Sequence, residues 1–137
     1  MQTDAFGRGK IAIIDDDAVF IDLMRDLLTD GEGYEVLSAP NWLHCVEFVK
    51  DARPDLIILD LMLGPNQTGW GVLALLREDP LLARIPVILC SAAASALRGC
   101  DSGADLLVEA VAKPFDIDHL LHVIDRLMTT AHAAATV

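Results

Sequence analysis

The chain has no surplus of basic charge. Its 137 residues include 10 Lys and Arg against 21 Asp and Glu, a formal net charge of −11. Nucleic-acid binders carry a basic footprint that pairs with phosphates, so direct binding to DNA, RNA or an anionic membrane surface is not expected. Long hydrophobic runs are also missing. No apolar stretch approaches the ~20 residues that span a bilayer, and the opening MQTDAFGRGK lacks the apolar centre of a secretory signal. Membrane insertion is therefore not expected, and a soluble, cytoplasmic protein is. Cysteine is scarce: Cys45, Cys90 and Cys100 have neither metal-site spacing nor an even count. They read as small, reduced, buried residues. His44, His119, His122 and His132 form no convincing metal set and read as surface residues.

Apolar residues are plentiful, at 53% with 23% charged, which suits one domain of ordinary size with a real core. Short apolar runs recur at KIAII (10–14), YEVLSA (34–39), DLIIL (55–59), PVILC (86–90) and VEAVA (108–112). Helical periodicity fills the segments between them. Val19, Leu23 and Leu27 repeat at four-residue steps in 18–29, as do Phe20 and Met24. Leu43, Val46 and Val49 share a face in 41–52, as do Val72, Leu75 and Leu76 in 70–78, and Leu120, Val123, Ile124 and Leu127 in 116–128. Asp116 is a candidate N-cap. The region 92–107 is Ala-rich and interrupted by Gly99 and Gly103, a weaker helix signal.

Strand alternating with helix predicts βαβ units and a parallel sheet. The runs ending at Ile14, Leu59 and Cys90 are apolar nearly throughout, as strands covered on both faces are. The runs at 34–39 and 108–112 carry Glu35 and Glu109, which suits edge strands. Strand order 2-1-3-4-5 follows, giving a doubly wound, flavodoxin-like (βα)5 α/β fold. Such folds bind ligands beyond the carboxyl ends of the strands, at the switch point. Asp15 and Asp16 follow the first run there, and Asp60 follows the third. Asp17 can serve simply as a helix cap. Acidic groups converging in one cleft either rise in pKa or take up a cation, and an all-oxygen set suits Mg²⁺. Ser91 follows the fourth run and Lys113 the fifth. Acids, a hydroxyl and an ammonium around one aspartate suit phosphoryl transfer, with a carboxylate as nucleophile.

These residues carry a resemblance. The acidic pair after the first strand, Asp60 after the third, Ser91-Ala92 after the fourth and Lys113-Pro114-Phe115 after the fifth resemble a response-regulator receiver domain of two-component signalling, of the single-domain, chemotaxis-regulator kind. The resemblance covers about 10–128, leaving 1–9 as an N-terminal extension and 129–137 as a fraying tail. It implies that Asp60 accepts phosphate from a histidine kinase or histidine phosphotransfer protein. Asp15, Asp16, Asp60 and the Met62 carbonyl would hold Mg²⁺, with Mn²⁺ able to substitute. Ser91 and Lys113 would contact the phosphoryl group and small Ala92 would leave room for it. The Lys113–Pro114 bond would be cis. The chain would catalyse only its own phosphorylation and dephosphorylation, so it is not expected to be an enzyme in the usual sense. No output domain follows Met128, so unless the sequence is a fragment, output by contact with an unknown protein target or by draining phosphate from a relay is expected, from a monomer or weak homodimer. The family's usual contact face is the fourth helix, fifth strand and fifth helix, near Leu106, Leu107 and His119.

Two departures stand out. The loop after Asp60 places Gly64 where the family tends to have proline, with Pro65 and Gly69 one place late. The fifth strand has Ala110 where receivers often carry a switch aromatic, so a repositioning of 92–107 is expected to relay activation instead. Alternatives remain. DDDAV (15–19) fits the Asp-x-Asp-x-Thr/Val signature of haloacid-dehalogenase-type phosphatases, with Asp15 as nucleophile, but leaves Asp60 unexplained. A receiver-like binding module without phosphorylation is the other. GRGK (7–10) resembles a phosphate loop, yet Gly9-Lys10 precedes the strand and Ile11 follows where Ser or Thr is needed.

Overall fold

The computed structural model describes residues 9–40, 44–61, 69–92, 107–113 and 115–135. Five strands, β1 (Gly9–Ile14), β2 (Tyr34–Ala39), β3 (Leu56–Asp60), β4 (Val87–Ser91) and β5 (Val108–Ala112), pair in parallel in the order β2-β1-β3-β4-β5. The expected order therefore holds, with the two glutamate-bearing strands at the edges. Glu109 on β5 is matched by Arg126, 2.9 Å away. Four helices lie among the described residues: α1 (Ala18–Arg25), α2 (Cys45–Ala52), α3 (Trp70–Glu78) and α4 (Ile117–Ala135).

Alternation along the central strands builds two cores, because successive side chains leave a strand on opposite faces. Ile11, Ile13, Leu56, Ile58, Ile88 and Cys90 point to one face, where α1 and α4 cover them with Met24, Leu120 and Ile124 among others. Ala12, Ile14, Ile57, Leu59, Val87 and Leu89 point to the other, covered by Cys45 and Val49 of α2 and Val72 and Leu76 of α3. Apolar burial on both faces is why these strands read as unbroken apolar runs.

Some local expectations are corrected. On α1 the sheet takes Ile21 and Met24, while Val19 is 77% and Leu23 52% exposed, so the four-residue row beginning at Val19 is not the buried face. Leu75 is likewise exposed. After Arg25 the helix widens into a π-helical segment, Asp26–Gly31, that buries Leu28. The segment expected to fray after Met128 is helical as far as Ala135. Asp116 acts as foreseen, its side chain accepting from Asp118 N at 2.9 Å. Lys10 works at the opposite end of the sheet from the acidic residues, donating from Nζ to the Ala52 carbonyl at the end of α2 (2.8 Å). Leu106 and most of 92–107 lie outside the described residues, as does Cys100.

Candidate functional site

The C-terminal rim of the sheet is fixed by backbone. Asp15 N donates to Ala39 O (3.1 Å), Leu61 N to Cys90 O (2.9 Å) and Lys113 N to Ser91 O (2.9 Å), so the ladder continues as far as the site residues. Asp60 and Ser91 are the last residues of β3 and β4 rather than the first residues beyond them. Gly69 closes the loop after Asp60, with its N–H donating to Leu61 O at 2.8 Å. A Cβ there would stand 3.1 Å from the Asp60 carbonyl oxygen and from Leu61 Cδ2, which is why the smallest residue fits.

Strand parity then sorts the side chains. Asp60 continues the Leu56–Ile58 row, Asp15 the Ile11–Ile13 row and Lys113 the row of Val111, all on the α1/α4 face. The three meet. Lys113 Nζ lies 2.6 Å from Asp15 Oδ2 and 3.5 Å from Asp60 Oδ2. The second Asp15 oxygen, Oδ1, accepts from Asp17 N at 2.9 Å. Asp15 and Asp60 are buried, while Asp16 faces solvent. Asp17 is the N-cap of α1, accepting from Val19 N (3.0 Å) and Phe20 N (3.1 Å).

One oxygen from each of Asp15, Asp16 and Asp60 lies within 4.8 Å of the others. Three carboxylates against one ammonium leave two negative charges at a rim open through Asp16. Hard, all-oxygen donors with excess negative charge fit Mg²⁺. Burial alone would lower the pKa of the Lys113 ammonium, but the hydrogen bond and charge of Asp15 and the charge of Asp60 outweigh it, and the net shift is upward.

Ser91 is fully buried at the rim, its backbone beside Ala112 in register. Ala92 is exposed and shares with Lys113 the lining of a cavity of about 380 Å³ whose other walls include Phe20, Leu23, Met24 and Phe115. Met62 and Pro114 lie outside the described residues, as does the loop segment with Gly64 and Pro65. Ala110 stands on β5 as read, and His119 is exposed.

Two neighbours were not marked from sequence. Phe20 presents its ring face to Lys113, with Nζ 4.2 Å from the centroid. Its edge-to-face partner is Phe115, with centroids 5.9 Å apart and planes at 82°. Cys90 pairs in register with Asp60 and shares its face. Burial pushes its thiol up to about 12; Lys113 opposes the shift and Asp15 and Asp60 add to it. Both residues read in sequence as ordinary core positions. For Cys90 the one available signal was its strand parity with Asp60; for Phe20, on a helix, there was none.

Known proteins fit this geometry. Residues 11–125 match the family model described as response regulator receiver domain. The DNA-binding dual master transcriptional regulator RpaA of Synechocystis sp. is 38% identical over 115 residues, covering 82% of this chain and 46% of that protein. The polar-differentiation response regulator DivK of Brucella anthropi is 36% identical over 83 residues, covering 61% of this chain and 66% of that one. The crystal structure of response regulator TrrA from Thermotoga maritima, in complex with Mg²⁺ and beryllium fluoride, superposes with TM-score 0.72 at 28% identity, covering 86% of this chain and 97% of that one. The chain spans less than half the length of RpaA. Among the described residues, no helix is long and apolar enough to cross a membrane.

Proposed function

Because the chain belongs to the response regulator receiver domain family of two-component signalling, we propose that Asp60 is its phosphoacceptor. The donor would be a phosphohistidine on a histidine kinase or phosphotransfer protein, which places the reaction in the cytoplasm. One Asp60 carboxylate oxygen attacks phosphorus, the P–N bond breaks, and its electron pair leaves with the imidazole. The product is an aspartyl phosphate. The observation that carries this reading is the placement of Lys113 Nζ between Asp15 and Asp60 at the switch point. The ammonium would offset charge developing on the phosphoryl oxygens, and the hydroxyl of Ser91, at the end of β4, would donate to one of them.

Asp15, Asp16, Asp60 and the Met62 carbonyl would hold Mg²⁺ or Mn²⁺, which would supply positive charge against the negative charge of the acids and of the transferring phosphoryl group. The chain turns over no separate metabolite in this reading; it catalyses only its own phosphorylation and hydrolysis. Its charge of −11 supports output by protein contact rather than by direct contact of these residues with nucleic acid.

The test is incubation with acetyl phosphate and Mg²⁺, trapping the acyl phosphate and mapping it by mass spectrometry. Wild type is expected to carry label on Asp60 and Asp60→Asn none. Label on Asp15 instead would support the phosphatase-type reading, and an unlabelled wild type would support a module that binds without phosphorylation.

A further inference from the structure

The Lys113 ammonium has three donors and, among the described residues, two carboxylates and one ring in contact with it. Asp15 takes it at 2.6 Å, Asp60 lies at 3.5 Å, and the face of Phe20 closes the third side at 4.2 Å from its centroid. The Asp15 partnership is the shortest of these, and it is the one that a cation at the acidic cluster would contest. Both Asp15 oxygens are already engaged, Oδ2 by Lys113 and Oδ1 by Asp17 N. A cation drawn to the acidic cluster must share or displace one of them, and Lys113 is the mobile one. An ammonium released from Asp15 sits on a flexible four-carbon stem, so solvent competes for it. The ring opposes that loss without competing for the phosphoryl group, because it attracts the cation through its face and leaves the ammonium's hydrogen bonds to oxygen acceptors. The ring itself is braced: Phe115 meets it edge-to-face, and both pack against the core under α1 and α4.

We propose that Phe20 is a positioning residue for Lys113, holding the ammonium at the rim within reach of Asp60 once Asp15 is given up to a cation. The proposal rests on the phosphoacceptor reading of Asp60. It also gives this chain a contact to Lys113 from α1, on the face opposite to Ala110.

The test compares Phe20→Leu and Phe20→Tyr, each in wild-type and Lys113→Ala backgrounds, with Phe20→Met as a second ringless variant should leucine lower the melting temperature. Affinity for beryllofluoride with Mg²⁺ is read by ¹⁹F NMR titration. The Lys113 ε-methylene proton shifts are read separately in metal-free protein. Phe20→Leu is expected to weaken beryllofluoride binding by about 2- to 30-fold, the span of a cation–π contact from exposed to desolvated, and Phe20→Tyr to restore it. The upfield ring-current shift of the Lys113 methylene is expected in wild type and Phe20→Tyr and to vanish in Phe20→Leu. In the Lys113→Ala background Phe20→Leu should have no further effect on affinity, since Phe20 acts only through the lysine. Equal weakening in both backgrounds, or a methylene shift that survives loss of the ring, overturns the role of Phe20. So does a Phe20→Leu affinity equal to that of wild type. Wild type that binds no beryllofluoride overturns the phosphoacceptor reading and this inference with it.

Discussion

At the scale of the residue, the chemistry of this rim comes from putting charge where burial opposes it. Asp15 is 1% exposed and Asp60 6%, yet each lies beside the other's partner, Lys113. A buried carboxylate keeps its charge only when it is paired and hydrogen-bonded. Removing the ammonium therefore strands Asp15. Lys113→Ala is expected to lower stability to urea by about 2 kcal/mol in metal-free protein, the scale of a charge-assisted hydrogen bond. Saturating Mg²⁺ should narrow that gap, because the metal supplies the missing positive charge. A deficit that is the same with and without Mg²⁺ would mean that lysine packing, not charge, is what was lost. The same variant is expected to blunt the difference between phosphorylated and bare protein in hydrogen exchange. The lysine and its acids were each legible as single residues after strands. Their pairing was not, because Lys113 and Asp15 are separated by 98 positions in sequence and nothing local fixes a 2.6 Å contact between them. Phe20 was hidden for a different reason. Its place in an apolar helical row looks the same whether its ring meets a core or a cation.

At the scale of the element, strands were legible and helix faces only partly so. A strand buried on both sides announces itself as an unbroken apolar run, and its parity then follows. A helix such as α1 offers more than one four-residue row, and only the sheet decides which is buried; it takes Ile21 and Met24 and leaves Val19 and Leu23 to solvent. The start of α1 is better determined. Asp17 stands in extended backbone at φ −90°, ψ 102° and caps two amide N–H groups, while its own N–H holds Asp15. One residue thus ties the helix start to the site. Asp17→Ala is expected to cost about 1 kcal/mol of stability in urea titration, the usual worth of an N-cap. Asp17→Ser should recover most of it, since a hydroxyl oxygen accepts the same bonds. If alanine and serine are equally destabilised, the cap contributes nothing and the charge of Asp17 is what matters.

At the scale of the whole molecule, acid gathers at one end of the sheet and the fold tolerates it only while the protons and cations around it stay in place. Binding of a cation to native protein alone adds stability of RT ln(1 + [L]/Kd), about 2.7 kcal/mol at a hundredfold excess over Kd. The melting temperature is therefore expected to rise with Mg²⁺ and fall back with EDTA, and Asp15→Asn should flatten the rise; a response unchanged in that variant would place the ion elsewhere. The alkaline side is set by groups whose native pKa is raised. The Cys90 thiol, 9.0 when free, is pushed to about 12 by burial, and burial also raises Cys45. Lys113, 10.5 when free, is raised by Asp15 and Asp60 against the opposing effect of burial. For each, native protein keeps a proton that unfolded chain has lost, so stability is full below the unfolded value and declines as pH climbs toward the native one. The decline should begin near pH 9 with the thiols and steepen above 10.5 when the lysine joins. For Cys90 alone, 1.5 pH units past its free value correspond to about 2 kcal/mol lost by pH 10.5. Cys90→Ala is the informative variant. Whatever its stability at pH 7, the slope of unfolding free energy between pH 9 and 10.5 should be shallower than in wild type. Parallel slopes in the two proteins would mean that the thiol beside Asp60 ionises as readily folded as unfolded, and that water reaches the β4 side of Asp60.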